Sequence, residues 1–259
     1  TTFDGALARA QRHWEEALEP SMKLVTPDRR VNDIYRHAIL SNLQFMIKVP
    51  DKPWRAPYQT PLVMDMVWPW EAATMLVPMI SVGYRRQCDP CISYFTERQV
   101  RVGAFSENES PGCYGQPARP AGDLKSFQGA YIGFNPYWMN ETGSVLWLMS
   151  EQYRYSHDKD WLERHRPGIL AAWEFIQNAR GQTRILDDKG VKVRWYGLLP
   201  KGRSHDWEGW RYHITFSDAF TWLGMSEMAK AFSEVGLPEA GRMTADVADY
   251  RKCILDVTE

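Results

Sequence analysis

The stretch "SHDWEGWRYHITF", residues 204 to 216, sets two carboxylates among indoles, with Arg211, Tyr212, His205 and His213 close by in sequence. An indole beside a carboxyl group removes water from it and raises its pKa, which keeps an acid protonated near neutrality. Trp207-Glu208 meets that description, with Glu208 as proton donor and Asp206, Arg211 and Tyr212 holding substrate hydroxyls or orienting the acid. A structural ion pair between Glu208 and Arg211 accounts for the same spacing equally well. Asp206 and Glu208 precede the next expected helix by several residues, so capping and dipole arguments serve them poorly. Asp65, Glu71 and Glu141 are further candidates, each also placed to favour the N-terminal dipole of a helix.

Seven of the twelve tryptophans, Trp54, Trp68, Trp70, Trp138, Trp195, Trp207 and Trp210, fall in long loops or where those loops enter helices. Core packing alone would place most of them inside the helices. Indoles beside carboxylates suit a sugar, whose C–H face stacks on the ring while its hydroxyls bond to acids, amides and arginine. Carbohydrate is therefore the first ligand class to consider.

The elements that must position these residues are helical. After a first helix over 4 to 18, Thr26-Pro27 reads as a cap-plus-proline start for "DRRVNDIYRHAILSNLQFMIKV", with Val31, Ile34, Tyr35, Ala38 and Ile39 on one face. Helices follow near 69–84, 90–102, 141–156, 159–179, 214–235 and 237–256. The links at 85–89, 157–158 and 236 are short, whereas those at 49–68, 103–140 and 180–213 are long. In an up-and-down array every second connection lies at the same end, so the three long loops gather on one face. Helices after long loops are apolar on most sides and those after short turns carry a charged face, which implies an inner and an outer layer. Within the last long loop, "RILDDKGVKVRWY" reads as a β-hairpin near 184–196 turning at Asp188-Lys189-Gly190.

Charge and composition exclude other classes. Thirty-one basic and thirty-two acidic residues leave no excess to neutralise nucleic-acid phosphates. The most apolar stretch, "VWPWEAATMLVPMISVGY", is broken by Pro69, Glu71 and Pro78, so no membrane span is expected and the chain reads as soluble. Cys88-Asp89-Pro90-Cys91 has C-x-x-C spacing, but Asp89 and Pro90 read as the cap and first position of a helix. Cys113, Cys253 and six scattered histidines provide no second ligand pair, so no metal is expected and no cofactor is called for. Asn140-Glu141-Thr142 matches the glycosylation triplet, a pattern that arises often by chance.

With those elements in place, "MDMVWPWEAATMLVPMISVG", "MNETGSVLWLMSEQYRYSHDKDWLERHRPGI" and "GLLPKGRSHDWEGWRYHITFSDAFTWLGMSEMAKA" together resemble the six-hairpin (α/α)6-barrel glycosidases, a superfamily that includes glucoamylases, trehalases and α-L-rhamnosidases. The resemblance runs from about residue 28 to the end, and 4 to 18 is similar to the linker helix that often precedes the barrel. It implies an all-α, (α/α)6-toroid-type array of helical hairpins, divided into a linker helix and connection over 1–25 and a partial catalytic domain over 26–259. It also implies a glycoside hydrolase acting on an oligo- or polysaccharide. In the glucoamylase branch the general acid is the glutamate of a Trp-Glu pair, matched here by Trp207 and Glu208. A substrate-binding aspartate before the first inner helix is matched by Asp65, although Met64 replaces the arginine that usually precedes it. Asn140 and Glu141 match a segment that lines the site, Glu141 being the acid in other branches, and Trp68, Trp70 and Trp138 stand beside these positions. The family's base comes from the last hairpin, whereas this chain reaches about helix seven of an implied twelve. A further C-terminal polypeptide or a second chain is therefore expected to complete the barrel.

Two other readings use the same residues. An uronide-active (α/α)-barrel lyase or unsaturated-uronyl hydrolase would use His205, His213, Tyr212 and Arg211, the arginine neutralising the uronate. A non-catalytic carbohydrate-binding protein would keep the aromatic cleft without a complete acid pair.

Overall fold

Helix starts in the computed structural model follow capping chemistry. The structure describes residues 2–58, 67–100, 127–132, 138–202 and 211–258, with backbone alone at 109–110 and 113–117. Helix α1 (Phe3–Leu18) is capped by Thr2, and α2 (Arg29–Phe45) by Asp28, whose side chain accepts from the Arg30 amide. Thr26 was expected to cap α2; its hydroxyl is instead engaged with Asn32 and with the Asp28 carbonyl, so the start moves two residues on. Helix α2 also stops earlier than its pattern implied. Strand β1 (Met46–Lys48) follows at once and pairs antiparallel with β2 (Arg55–Pro57). Of the expected apolar face of α2, Ile39 is buried and Tyr35 half-buried, whereas Val31, Ile34 and Ala38 are exposed.

Helix α3 (Pro69–Met79) has proline in its first position and runs into a π-helical turn, Ile80–Tyr84. The chain reverses at Gly83, where φ is 114° and an added Cβ would lie 2.2 Å from the Pro20 carbonyl oxygen. Helix α4 (Arg85–Glu97) therefore begins before the Asp-Pro pair that was expected to start it. Pro90 lies inside the helix, and Asp89 accepts from the Trp161 indole at 2.7 Å instead of capping. A short ladder joins β3 (Glu109–Ser110) to β4 (Cys113–Pro117).

The remaining helices, α5 (Glu141–Ser156), α6 (Lys159–Gly181), α7 (Thr215–Val235) and α8 (Ala240–Thr258), form two hairpins. His157, in the left-handed region, ends α5, and the Asp158 side chain caps α6 by accepting from the Trp161 amide. Gly236, with φ 80°, ends α7.

Two layers follow from the side-chain partners. Trp68 meets Trp138 where α3 and α5 begin, and Gln152 near the end of α5 donates to the Arg85 carbonyl just past α3, so these two helices run parallel. Gly143 meets Thr221 early in α5 and α7, while Tyr153 donates to Glu234 late in both, so α7 is parallel as well. The outer helices α4, α6 and α8 are likewise mutually parallel. Asp89 on α4 and Gln99, two residues past its end, meet Trp161 and Gly168 on α6, and Trp173 and Arg180 on α6 meet Asp246 and Asp249 on α8. Inner α7 and outer α8 are antiparallel, with Asp218 beside Tyr250 and Trp222 beside Val247. The expected alternation of inner and outer helices is thus present, and the long connections enter α3, α5 and α7 at one shared end.

The hairpin expected near 184–196 is minimal. Leu186 pairs with Lys192 as a single bridge, and Gly190, with φ 76°, supplies the turn. No described helix is long and apolar enough to cross a membrane.

Candidate functional site

The shared end of the inner helices gathers aromatic rings that touch one another and yet are incompletely buried. Trp68, the residue before α3, lies 5.8 Å ring to ring from Trp138, which precedes α5. Trp70, in the first turn of α3, reaches α7, with its ring 5.2 Å from Phe216 and 5.8 Å from Phe220. Phe216 and Phe220 are 4.7 Å apart, and Phe220 is 6.3 Å from Trp147 of α5. Every residue of α5 from Glu141 to Tyr153 is buried except Trp147. Trp68, Trp70, Trp138, Trp147 and Phe220 are all half-buried, and Phe216 is 38% exposed. Core rings of this protein look different: Trp173, Tyr131 and Tyr153 are each at most 1% exposed.

Polar groups stand beside these rings. Asn140 and Glu141 open α5, each 1% exposed. The Asn140 carbonyl accepts from the amide and hydroxyl of Ser144, while its side-chain Nδ2 is buried with no hydrogen-bond partner among the described residues. Such burial leaves no room for a glycan on Asn140. Thr142 fastens residues 127–132 to this turn: its hydroxyl donates to the Tyr131 carbonyl and accepts from the Tyr131 amide, both at 3.1 Å. Glu71, in the first turn of α3, is half-buried.

Of the residues singled out in the sequence, Trp68, Trp70, Trp138, Asn140 and Glu141 therefore meet at one end of the array. Asp65, His205, Asp206, Trp207, Glu208 and Trp210 lie outside the described residues. Arg211 is exposed, and Tyr212, 46% exposed, is held through its backbone, which exchanges hydrogen bonds with Gly202 at 2.8 and 2.9 Å. Trp54 was counted with the loop indoles, but it is 5% exposed and packs edge-on against Tyr94, a core position. Trp195 stacks on His213 at 5.0 Å. His213 Nδ1 faces the Leu199 carbonyl at 3.0 Å, so that nitrogen carries the proton and donates it. Burial lowers the His213 pKa, aided by Lys201 and opposed by the bond to Leu199.

The sequence reading missed Trp147, Phe216, Phe220 and Asp218. Asp218, 1% exposed in the first turn of α7, accepts on Oδ1 from the Leu199 amide at 2.8 Å and from the Tyr250 hydroxyl at 2.7 Å. Burial pushes its carboxyl up to about 6, against the lowering effects of those two bonds and of Arg180. Arg180, 0% exposed, lies 3.9 Å from the Tyr250 ring and bonds to the Gly197 carbonyl and to Asp249.

Cys88 and Cys91 are fully buried thiols, and burial holds Cys91 up at about 12, so they serve packing rather than nucleophilic chemistry. Among the described residues no group of three or more His, Cys, Asp or Glu side chains is placed to hold a metal ion. No protein-family model matches the chain, and no curated protein or solved structure matches it.

Proposed function

We propose that this protein is a glycoside hydrolase that binds an oligo- or polysaccharide at the shared mouth of α3, α5 and α7. The carrying observation is the set of six half-buried or exposed rings, Trp68, Trp70, Trp138, Trp147, Phe216 and Phe220, drawn from three parallel helices. Several of this protein's core rings are at most 1% exposed, whereas a sugar-stacking floor must touch its neighbours below and keep a face free above. Three inner and three outer helices in parallel layers agree with an arc of a toroid-type hairpin array.

In this reading Glu208 is the general acid, delivered by the loop between the bridge residues Gly202 and Tyr212, and Glu141 is the second carboxylate. Asp65, Asp206, Trp207, Arg211 and Tyr212 contact hydroxyls.

Titration with a broad panel of neutral oligosaccharides, read by tryptophan fluorescence, tests the site. Turnover of the sugars that bind tests the chemistry. Glu208→Gln should lower turnover about 10²- to 10⁴-fold and leave sugar affinity nearly unchanged. Silence of the indoles toward every sugar, or undiminished turnover in both Glu208→Gln and Glu141→Gln, would defeat the proposal.

A further inference from the structure

The segment leading to α7 is held at a neck by three sets of bonds. Gly202 and Tyr212 exchange backbone bonds at 2.8 and 2.9 Å, His213 donates to the Leu199 carbonyl, and the Leu199 amide donates to Asp218. Both backbone polar groups of Leu199 are thus held by side chains that come after the neck in sequence. Asp218 does not cap α7: the N-cap position is Ile214, no side chain caps it, and the Asp218 carboxylate reaches away from the helix amides toward Leu199 and Tyr250. Through Tyr250 and the guanidinium of Arg180 behind it, the same carboxylate is tied to α8 and α6. Its Oδ2 is buried and has no hydrogen-bond partner among the described residues. A buried carboxylate with one oxygen unsatisfied is costly, and a dipole role would be met as well by an exposed acid in the first turn.

We propose that Asp218 is a positioning residue: it locks the Leu198–Gly202 side of the neck to α7 and α8, and so fixes the Gly202–Tyr212 bridge relative to the start of α7. The role in catalysis rests on the glycosidase reading; the lock itself does not. Ionisation of Asp218 strengthens its two hydrogen bonds but leaves a charge in a buried site with Oδ2 unsatisfied, and the raised carboxyl shows that the second effect is larger. The lock is therefore tighter when Asp218 is neutral. The groups acting on it are the Tyr250 hydroxyl from α8, Arg180 from α6 and the Leu199 amide; Cys253 neighbours Tyr250, and Lys201 neighbours His213. Titration of His213 leaves its Nδ1–H bond to Leu199 in place, so loosening as pH rises is assigned to Asp218.

Amide hydrogen exchange resolved by NMR tests this on the whole chain. Leu199 protection, corrected for intrinsic exchange, should be roughly tenfold greater at pH 5 than at pH 8 in the wild type, because opening releases a carboxyl held at about 6 to its ordinary 3.8. Asp218→Asn keeps an acceptor at Oδ1 but cannot ionise; its Leu199 protection should sit near the wild-type low-pH value and show no pH step. Tyr250→Phe removes one of the two donors and should keep the step while moving it to a different pH. Amides at the far end of α7, Phe232 to Gly236, serve as the reference and should not change. Equal Leu199 protection at both pH values in the wild type, or a change shared evenly along α7, would overturn the proposal; the wild-type measurement decides it even if Asp218→Asn fails to fold. Sugar titration of the same samples is judged separately: no quenching in the wild type defeats the glycosidase reading and leaves the exchange result to judge Asp218.

Discussion

Gly224→Ala probes the contact on which the parallel inner layer depends. A Cβ at position 224 would stand 1.9 Å from the Gly143 carbonyl oxygen and 2.8 Å from the Gly143 carbonyl carbon. An ordinary carbon–oxygen contact is about 3.3 Å, so α5 and α7 would have to move apart by more than 1 Å. Overpacking of this kind costs about 3 kcal/mol or more when backbone must shift, while Ala gains roughly 1 kcal/mol over Gly in helix propensity. The net loss is about 2 kcal/mol, which lowers Tm by roughly 4–8 °C in a chain of this size. Gly181→Ala is the matched control: position 181 ends α6, and an added Cβ meets nothing within 4 Å. It should be neutral or stabilising by up to about 1 kcal/mol. Urea denaturation of both variants reads the difference. Because Trp147 and Phe220 flank the same crossing, Gly224→Ala should also weaken the sugar response of the indoles. A Gly224→Ala protein at least as stable as the wild type would refute the close crossing.

Trp68→Ala should abolish most of the sugar-dependent fluorescence change with little loss of stability, whereas Trp54→Ala should cost about 3–5 kcal/mol and leave sugar binding intact in the folded fraction. The reverse pattern would exchange their roles. Stability should also depend on pH through Asp218: its folded carboxyl lies at about 6 against an ordinary 3.8, so the folded state holds the proton more tightly. No penalty applies below about 3.8, and stability is lost as pH rises through 6, reaching about 3 kcal/mol above it. The gap in unfolding free energy between wild type and Asp218→Asn should therefore differ between pH 4 and pH 8 by about that amount, in favour of Asn at high pH.

What could be read from the sequence was what local chemistry decides. Helix α5 and the start of α6 fell at the expected residues because Asn140-Glu141, His157 and the Asp158 cap punctuate them within a few positions. The start of α4 did not, although Asp89-Pro90 is a strong local signal, because the reversal belongs to Gly83 and to its contact with Pro20, some sixty residues earlier. The buried face of α2 was misjudged for a related reason: its period is helical, but which part of the stripe is covered depends on packing against distant elements. The site divides the same way. Trp68, Trp138 and Glu141 stand at helix starts, where position alone hints at a role. Trp147, Phe216 and Phe220 sit inside apolar helices, where a residue facing a neighbour and one facing a cleft give the same pattern. Asp218 drew no notice because Leu199 and Tyr250, its partners, are 19 and 32 residues away.

The parallel inner layer also bears on which carboxyl delivers a proton. Three helix N-termini, those of α3, α5 and α7, share one end, and each carries the equivalent of about half a positive charge. Glu71 and Glu141 lie in the first turns of two of them, where that charge stabilises a carboxylate, while the burial of Glu141 acts the other way. A general acid needs the protonated form favoured. Glu208 is seven residues before the start of α7 in sequence, outside its first turn, and it adjoins Trp207. In the proposed hydrolase the dipole assigns Glu141 to act as base or to hold a hydroxyl, and leaves Glu208 to donate. The two variants should then differ in the pH dependence of kcat/KM. Glu208→Gln should remove the limb on which activity falls as pH rises, because that limb reports deprotonation of the acid, and Glu141→Gln should leave it in place. Loss of the alkaline limb in Glu141→Gln, with Glu208→Gln retaining it, would reverse the assignment and show that burial at residue 141 outweighs the helix dipole.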